Sequence, residues 1–108
     1  MRIMLPFFLL LFSTCVPASP LPTILVFGDS LSAGYGIDID QSWPTLLQAK
    51  LKTQGYEYLV INASISGETT EGGSVRIGAA LATFNPNLVI LELGGNDGLR
   101  GFPPQIIK

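Results

Sequence analysis

Three short apolar runs, residues 23–27, 58–61 and 88–93, alternate with two stretches of helical apolar spacing, and nothing else in the sequence narrows the fold as far. A run of four to six β-branched, aromatic and aliphatic residues, with no polar alternation, reads as a strand buried on both faces. Buried strands joined through helices form a parallel sheet with helices on either side, an α/β fold with right-handed crossovers. Thr23-Ile24-Leu25-Val26-Phe27 follows Pro20 and Pro22 and stops at Gly28. Tyr58-Leu59-Val60-Ile61 stops at Asn62. Leu88-Val89-Ile90-Leu91 continues through Glu92 to Leu93, and Gly94-Gly95-Asn96-Asp97-Gly98 after it reads as a loop.

The helical stretches carry their own signals. Ser42 is placed to cap the first, with Pro44 in its opening turn, where a missing N–H costs little. Trp43, Leu46, Leu47 and Leu51 mark its buried face, Lys50 and Lys52 fall outside it, and Gly55 is placed to close it in a left-handed turn. The second starts at Thr70, with Gly72 and Gly73 weakening its first turns. Ile77, Ala80, Leu81 and Phe84 mark its inner face, and Asn85-Pro86-Asn87 breaks it. Pro103-Pro104 is expected to open a third helix. A length of 108 residues suits one small domain. With 47% hydrophobic and 13% charged residues the chain is not of the disordered class, and at net charge −2, with no basic run, nucleic acid is not an expected partner.

The first 18 residues stand apart. Arg2 is their one charge, residues 5–12 are apolar, and Val16-Pro17-Ala18 puts small residues at −3 and −1 of a cleavage site before Ser19. This is the pattern of a secretory signal, 1–18, leaving a mature chain 19–108 that is periplasmic or secreted. The alternatives are a buried N-terminal strand and an uncleaved anchor. The apolar core is shorter than the roughly 20 residues a membrane span needs, so no stable span is expected after cleavage. The mature chain has five basic and eight acidic residues, a net −3. Cys15, the only cysteine, lies within the signal, so no disulfide framework is expected. A lipid-anchoring role for Cys15 is the other reading, with Phe12 and Thr14 bulky for one.

In a parallel α/β sheet ligands bind beyond the carboxyl ends of the strands. The polar, glycine-containing segments fall there each time: Gly28-Asp29-Ser30, residues 62–68, and Gly94-Gly95-Asn96-Asp97. A serine hydroxyl is a nucleophile once a base takes its proton, and acyl transfer needs donors aimed at the developing oxyanion. Glycine N–H groups and an asparagine amide are suitable donors. Taken singly, the same residues are ordinary turn formers. Ser32, Ser64 and Ser66 read as turn or capping residues, and Asp29 and Asp97 as braces through local hydrogen bonds. Glu92 stays open between a buried polar group and a site residue. Asn62-Ala63-Ser64 matches the glycosylation sequon, a pattern frequent by chance. The phosphate-binding G-x-x-x-x-G-K-S/T, the dinucleotide G-x-G-x-x-G and the esterase G-x-S-x-G are all absent.

Together the three loops resemble the first three sequence blocks of the SGNH, or GDSL, hydrolases. Gly28-Asp29-Ser30-Leu31-Ser32 resembles the nucleophile block, Gly67 in NASISGET the second-block glycine, and Gly94-Gly95-Asn96-Asp97 the third block. GDSLSAGYG, NASISGET and LELGGNDGLRG look closest to the periplasmic thioesterase, lysophospholipase and arylesterase subgroup. The resemblance runs from about residue 23 to the end. It implies a flavodoxin-like three-layer α/β/α sandwich with a parallel sheet in the order 2-1-3-4-5, of which this chain supplies three strands. It implies Ser30 as nucleophile, the Ser30 and Gly67 N–H groups and the Asn96 side chain as the oxyanion site, and a small acyl ester or thioester as substrate. No metal or organic cofactor is implied.

The family's Asp-x-x-His block has no counterpart, and the sequence contains no histidine. Lys50 and Lys52, on an exposed helix face, are poor substitutes as a base. Residues 19–108 are therefore expected to be the N-terminal part of a longer hydrolase domain, inactive alone. Two other readings remain: a non-catalytic ligand- or carbohydrate-binding module on the same scaffold, and a nucleotide-binding flavodoxin-like domain. The missing phosphate-binding glycines speak against the second.

Overall fold

The computed structural model describes residue 13 and residues 20–107. The signal reading of residues 1–18 and the question of Cys15 lie outside the described residues, Ser13 apart. β1 (Thr23–Gly28), β2 (Leu59–Asn62) and β3 (Leu88–Glu92) form one sheet in the order β2-β1-β3. Both pairings are parallel, with Val26 opposite Asn62 and Gly28 opposite Glu92, so the three carboxyl ends share one edge. Between the strands lie α1 (Ser30–Ala33), α2 (Trp43–Thr53) and α3 (Thr70–Phe84), and α4 (Gly95–Leu99) follows β3.

The central strand is buried at every residue. Leu25 and Phe27 are fully enclosed, against Ile61, Ala63, Val89 and Leu93 of the sheet side and Ile77, Ala80 and Phe84 of α3. Burying side chains of this size stabilises by about 1.5–3 kcal/mol each. Strand alternation turns Ile24, Val60 and Leu88 to the opposite face, where α2 packs along β2. The α/β expectation with helices on both faces holds.

Several helix expectations need correcting. Leu46 and Leu81 are 55% and 40% exposed, not inner-face residues. On α2 the inner row passes through Pro44, Leu47, Gln48 and Leu51 instead. Gln48 decides this: its amide donates to Tyr58 O and accepts from Val60 N, both at 2.8 Å, satisfying the free edge of β2. Ser42 takes the N-cap position, but its hydroxyl donates to Ile39 O and meets Thr45 Oγ1 rather than a helix N–H. Gly55 closes α2 as expected, at φ 81°, with Tyr56 N bonded to Leu51 O. Gly73 has a packing reason for being glycine: a Cβ there would lie 2.5 Å from Leu93 Cδ1 and 3.4 Å from Phe27 Cε1. α3 approaches the sheet through that gap.

Residues 94–98, expected as a loop, mostly form α4. Three glycines in five residues argue against a helix, but Gly94 at φ 117° turns the chain out of β3, and Asp97 is anchored from outside the segment. Pro103-Pro104 opens a single 3-10 turn, Pro104–Ile106, rather than an α-helix. Among the described residues no helix is long and apolar enough to cross a membrane.

Candidate active site

Ser30 is the first residue of α1, one position after the N-cap Asp29. The Asp29 carboxylate accepts from Leu31 N at 3.0 Å, so the acid secures the turn and takes no part in holding the serine hydroxyl. Ser30 is half-buried. Among the described residues neither its hydroxyl nor its backbone N–H has a hydrogen-bond partner.

The second loop is laced to this turn. Gly28 N donates to Ser64 Oγ (3.1 Å), and Ile65 N donates to Gly28 O (3.0 Å). Asn62 Nδ2 donates to Ser32 O at 2.7 Å while its Oδ1 accepts from Ser64 N, so this amide braces the loops and does not stand free as a glycan acceptor. Gly67 lies at the exposed tip with φ 83°, a conformation that favours glycine, and its N–H is unpartnered among the described residues. The third loop closes against the second. Asn96 Nδ2 donates to Glu68 O at 2.9 Å, which brings Asn96 to the residue after Gly67 and leaves its second N–H available. The expected residues Ser30, Gly67 and Asn96 thus come from the segments that follow the three strands, the first turns of α1 and α4 and the loop before α3, which the structure ties together at one sheet edge.

Two acids under the site are held firmly. Asp97, 1% exposed, accepts from Thr70 N at 2.9 Å and Thr70 Oγ1 at 2.7 Å. It braces across 27 residues, not locally as expected. Burial pushes its carboxyl up, but the Thr70 hydroxyl and amide, its own backbone and the Arg100 charge hold it below the ordinary value. Glu92 is half-buried at the end of β3, and its Oε1 accepts from Ser32 Oγ at 2.7 Å. Ser32 in turn accepts from Trp43 Nε1 at 3.1 Å and is fully enclosed, so it is an interior connector rather than a turn residue. A Cβ on Gly28 would fall 2.8 Å from Glu92 O, Glu92 Oε1 and Ser32 Oγ alike. The clue in the sequence was the need of two polar groups on apolar elements, Trp43 and Glu92, for partners. Arg76, taken up below, was also missed; a lone cation in a helix otherwise rich in small residues was its signal.

Chemically the arrangement offers an unbonded serine hydroxyl, two unbonded backbone N–H groups and a partly free amide. The class so defined is a parallel α/β domain presenting a serine at the strand-to-helix turn of its central strand. The sequence matches the GDSL-like lipase/acylhydrolase family over residues 26–108, and the chain belongs to that family. It is 55% identical over 86 residues to the esterase TesA of Pseudomonas aeruginosa, covering 80% of this chain and 43% of that protein. It is 48% identical over 101 residues to thioesterase 1/protease 1/lysophospholipase L1 of Escherichia coli, covering 94% of this chain and 47% of the relative. The crystal structure of TesA superposes with a TM-score of 0.77, over 79% of this chain and 47% of that one. AlinE4, an SGNH-hydrolase family esterase, gives 0.75 at 45% identity, over 82% and 48%. The chain spans less than half the length of these relatives.

Proposed function

We propose that the chain carries the nucleophile and oxyanion half of a hydrolase acting on small acyl esters or thioesters. One observation carries the reading: Ser30, with hydroxyl and backbone N–H both unpartnered among the described residues, shares its sheet edge with the unpartnered N–H of Gly67 on a loop tied to the serine turn. Ser30 Oγ attacks the acyl carbonyl while a base takes its proton. The carbonyl oxygen becomes an oxyanion that accepts from Ser30 N–H, Gly67 N–H and the second N–H of Asn96. Collapse expels the alcohol or thiol, and water then hydrolyses acyl-Ser30. Esterase and thioesterase relatives support this chemistry.

The base is the missing part. These 108 residues contain no histidine, and none of the described loops brings a substitute to Ser30 Oγ. In this reading the base comes with an in-frame Asp-x-x-His beyond residue 108, and the 108-residue protein alone is inactive. The mature protein, from Ser19, works in the periplasm or outside the cell. The test is expression of the reading frame continued past residue 108. The extended protein should hydrolyse a short aryl ester, Ser30→Ala should abolish this, and the 108-residue protein should show no Ser30-dependent turnover. An extended protein that binds such esters without turning them over would instead mark a binding module.

A further inference from the structure

Gly67 has an unusual lack of support. Its N–H is unpartnered among the described residues, no described atom beyond its two chain neighbours lies within 4 Å of where its Cβ would be, and glycine imposes little on its own backbone. A donor meant for an oxyanion must nevertheless be fixed before the charge develops. What fixes it lies on either side. Arg76, in the second turn of α3, donates through Nη1 to Ala63 O at 2.7 Å and through Nε to Glu68 Oε2 at 3.0 Å. One guanidinium therefore grips the residue that enters the loop and the residue that follows Gly67. Its plane is itself fixed, with the central carbon 3.9 Å from the centroid of the buried Phe27 ring. Glu68 is held by three further bonds: its N–H donates to Ile65 O, its carbonyl accepts from Asn96 Nδ2, and its Oε1 accepts from Thr69 N–H.

We propose that Arg76 is the positioning residue of the oxyanion loop: its fork sets the distance between Ala63 and Glu68, and with it the direction of the Gly67 N–H. This rests on the hydrolase reading above. The remaining nitrogen, Nη2, is buried and has no hydrogen-bond partner among the described residues. A brace serving stability alone would avoid that cost. Lysine cannot replace the arginine, because a point charge does not span two acceptors in one plane. The grip also reaches the third loop, since Asn96 bonds the residue that Arg76 holds.

The test has two readouts. In the 15N-labelled 108-residue protein, Arg76→Met should shift or broaden the amide signals of Gly67, Glu68 and the Asn96 side chain, with those of Leu25 and Val26 unmoved. Arg76→Lys should fail to restore them. Where Arg76→Met does not fold, Glu68→Gln, which removes the carboxylate but keeps the backbone bond to Asn96, must move the same signals. In the extended protein, Arg76→Lys should lower kcat on a short aryl ester by about tenfold or more, less than the roughly hundredfold loss of a deleted oxyanion donor, with KM within about twofold. Unchanged Gly67 signals in Arg76→Met, or wild-type kcat in Arg76→Lys, overturn the proposal. A Ser30→Ala protein that keeps its turnover overturns the hydrolase reading instead, and the amide signals still decide whether Arg76 holds the loop.

Discussion

Gly28 and Gly67 flank the same serine turn, yet different physics requires glycine at each. At Gly28 the backbone is ordinary and space is lacking: a methyl group would press on Glu92 O, a main-chain atom that cannot swing away, and on the bonded pair Glu92 Oε1 and Ser32 Oγ. At Gly67 space is open and the backbone is the constraint, at φ 83°. Gly28→Ala should therefore cost about 1–3 kcal/mol through overpacking and alter Trp43 fluorescence, because Ser32 Oγ is the Trp43 partner. Gly67→Ala should cost about 1–2 kcal/mol through left-handed strain and leave Trp43 fluorescence unchanged. Denaturant titrations followed by tryptophan emission measure both, and an identical spectral change in the two variants would contradict the distinction. The contrast also shows what the sequence could reveal at this scale. The three polar segments stand out because each follows an apolar run, and the resemblance to the SGNH blocks is what picks Ser30, Gly67 and Asn96 out of them. The interior roles of Ser32 and Arg76 did not, since Ser32 finds Glu92 60 residues away and Arg76 reaches back 13 residues to a backbone carbonyl. Sequence spacing carries no mark of either meeting.

Between elements, the bond from α4 to the start of α3 depends on pH. Asp97 accepts both hydrogen bonds from Thr70 at full strength as a carboxylate, and its folded value is lowered. A group with a depressed folded pKa contributes stability that is fully present above its unfolded value, about 3.9, and is lost as pH falls through the folded value. The stability of the protein should thus decline from about pH 5 downward, and Asp97→Asn should be less stable at pH 7 with a shallower decline. Urea midpoints between pH 3 and pH 7 measure this, and an equal slope in the variant would remove Asp97 from the account. The same bond explains why α4 was not legible in the sequence. Its glycines oppose a helix on propensity, and the anchor that overrides them is a tertiary contact. The strand positions read correctly because apolar runs and their Gly or Asn stops are local facts, but burial on both faces holds only for β1: β2 and β3 are the outer strands among the described residues and keep exposed side chains, Leu59, Leu88 and Leu91 among them. Leu46 and Leu81 misled because helical spacing defines an apolar stripe without saying which edge of it the neighbour covers. On α2 that choice was made by Gln48, a polar residue satisfying β2, which apolar patterning ignores.

For the molecule as a whole, among the described residues, one outer edge of the sheet has two backbone groups taken up by a side chain and the other edge is open. Along β2 the Gln48 amide occupies backbone groups of the outer edge, whereas β3 pairs among the described residues only with β1. Leu88 and Leu91 of β3 are 52% and 60% exposed, and Leu91 with Phe27, Ile77 and Leu93 borders a cleft of about 240 Å³ beside α3. β3 carries no lysine or proline to blunt its edge, and Glu92, its only charge, is engaged by Ser32. Such an edge is a template for pairing with another strand. The relatives, whose chains are more than twice the matched length, have further residues available to cover it. The 108-residue protein should accordingly associate as its concentration rises, with sedimentation velocity showing a shift from monomer to larger species. Leu91→Lys should suppress the shift, because a charge on an edge strand must be desolvated for a second strand to dock. Since Leu91 is mostly exposed, the substitution should change the unfolding free energy read from urea titration by no more than about 0.5 kcal/mol, which separates lost association from lost folding. Monomers at every concentration, or association equal in Leu91→Lys and wild type, would show that the edge of β3 is protected by some other means.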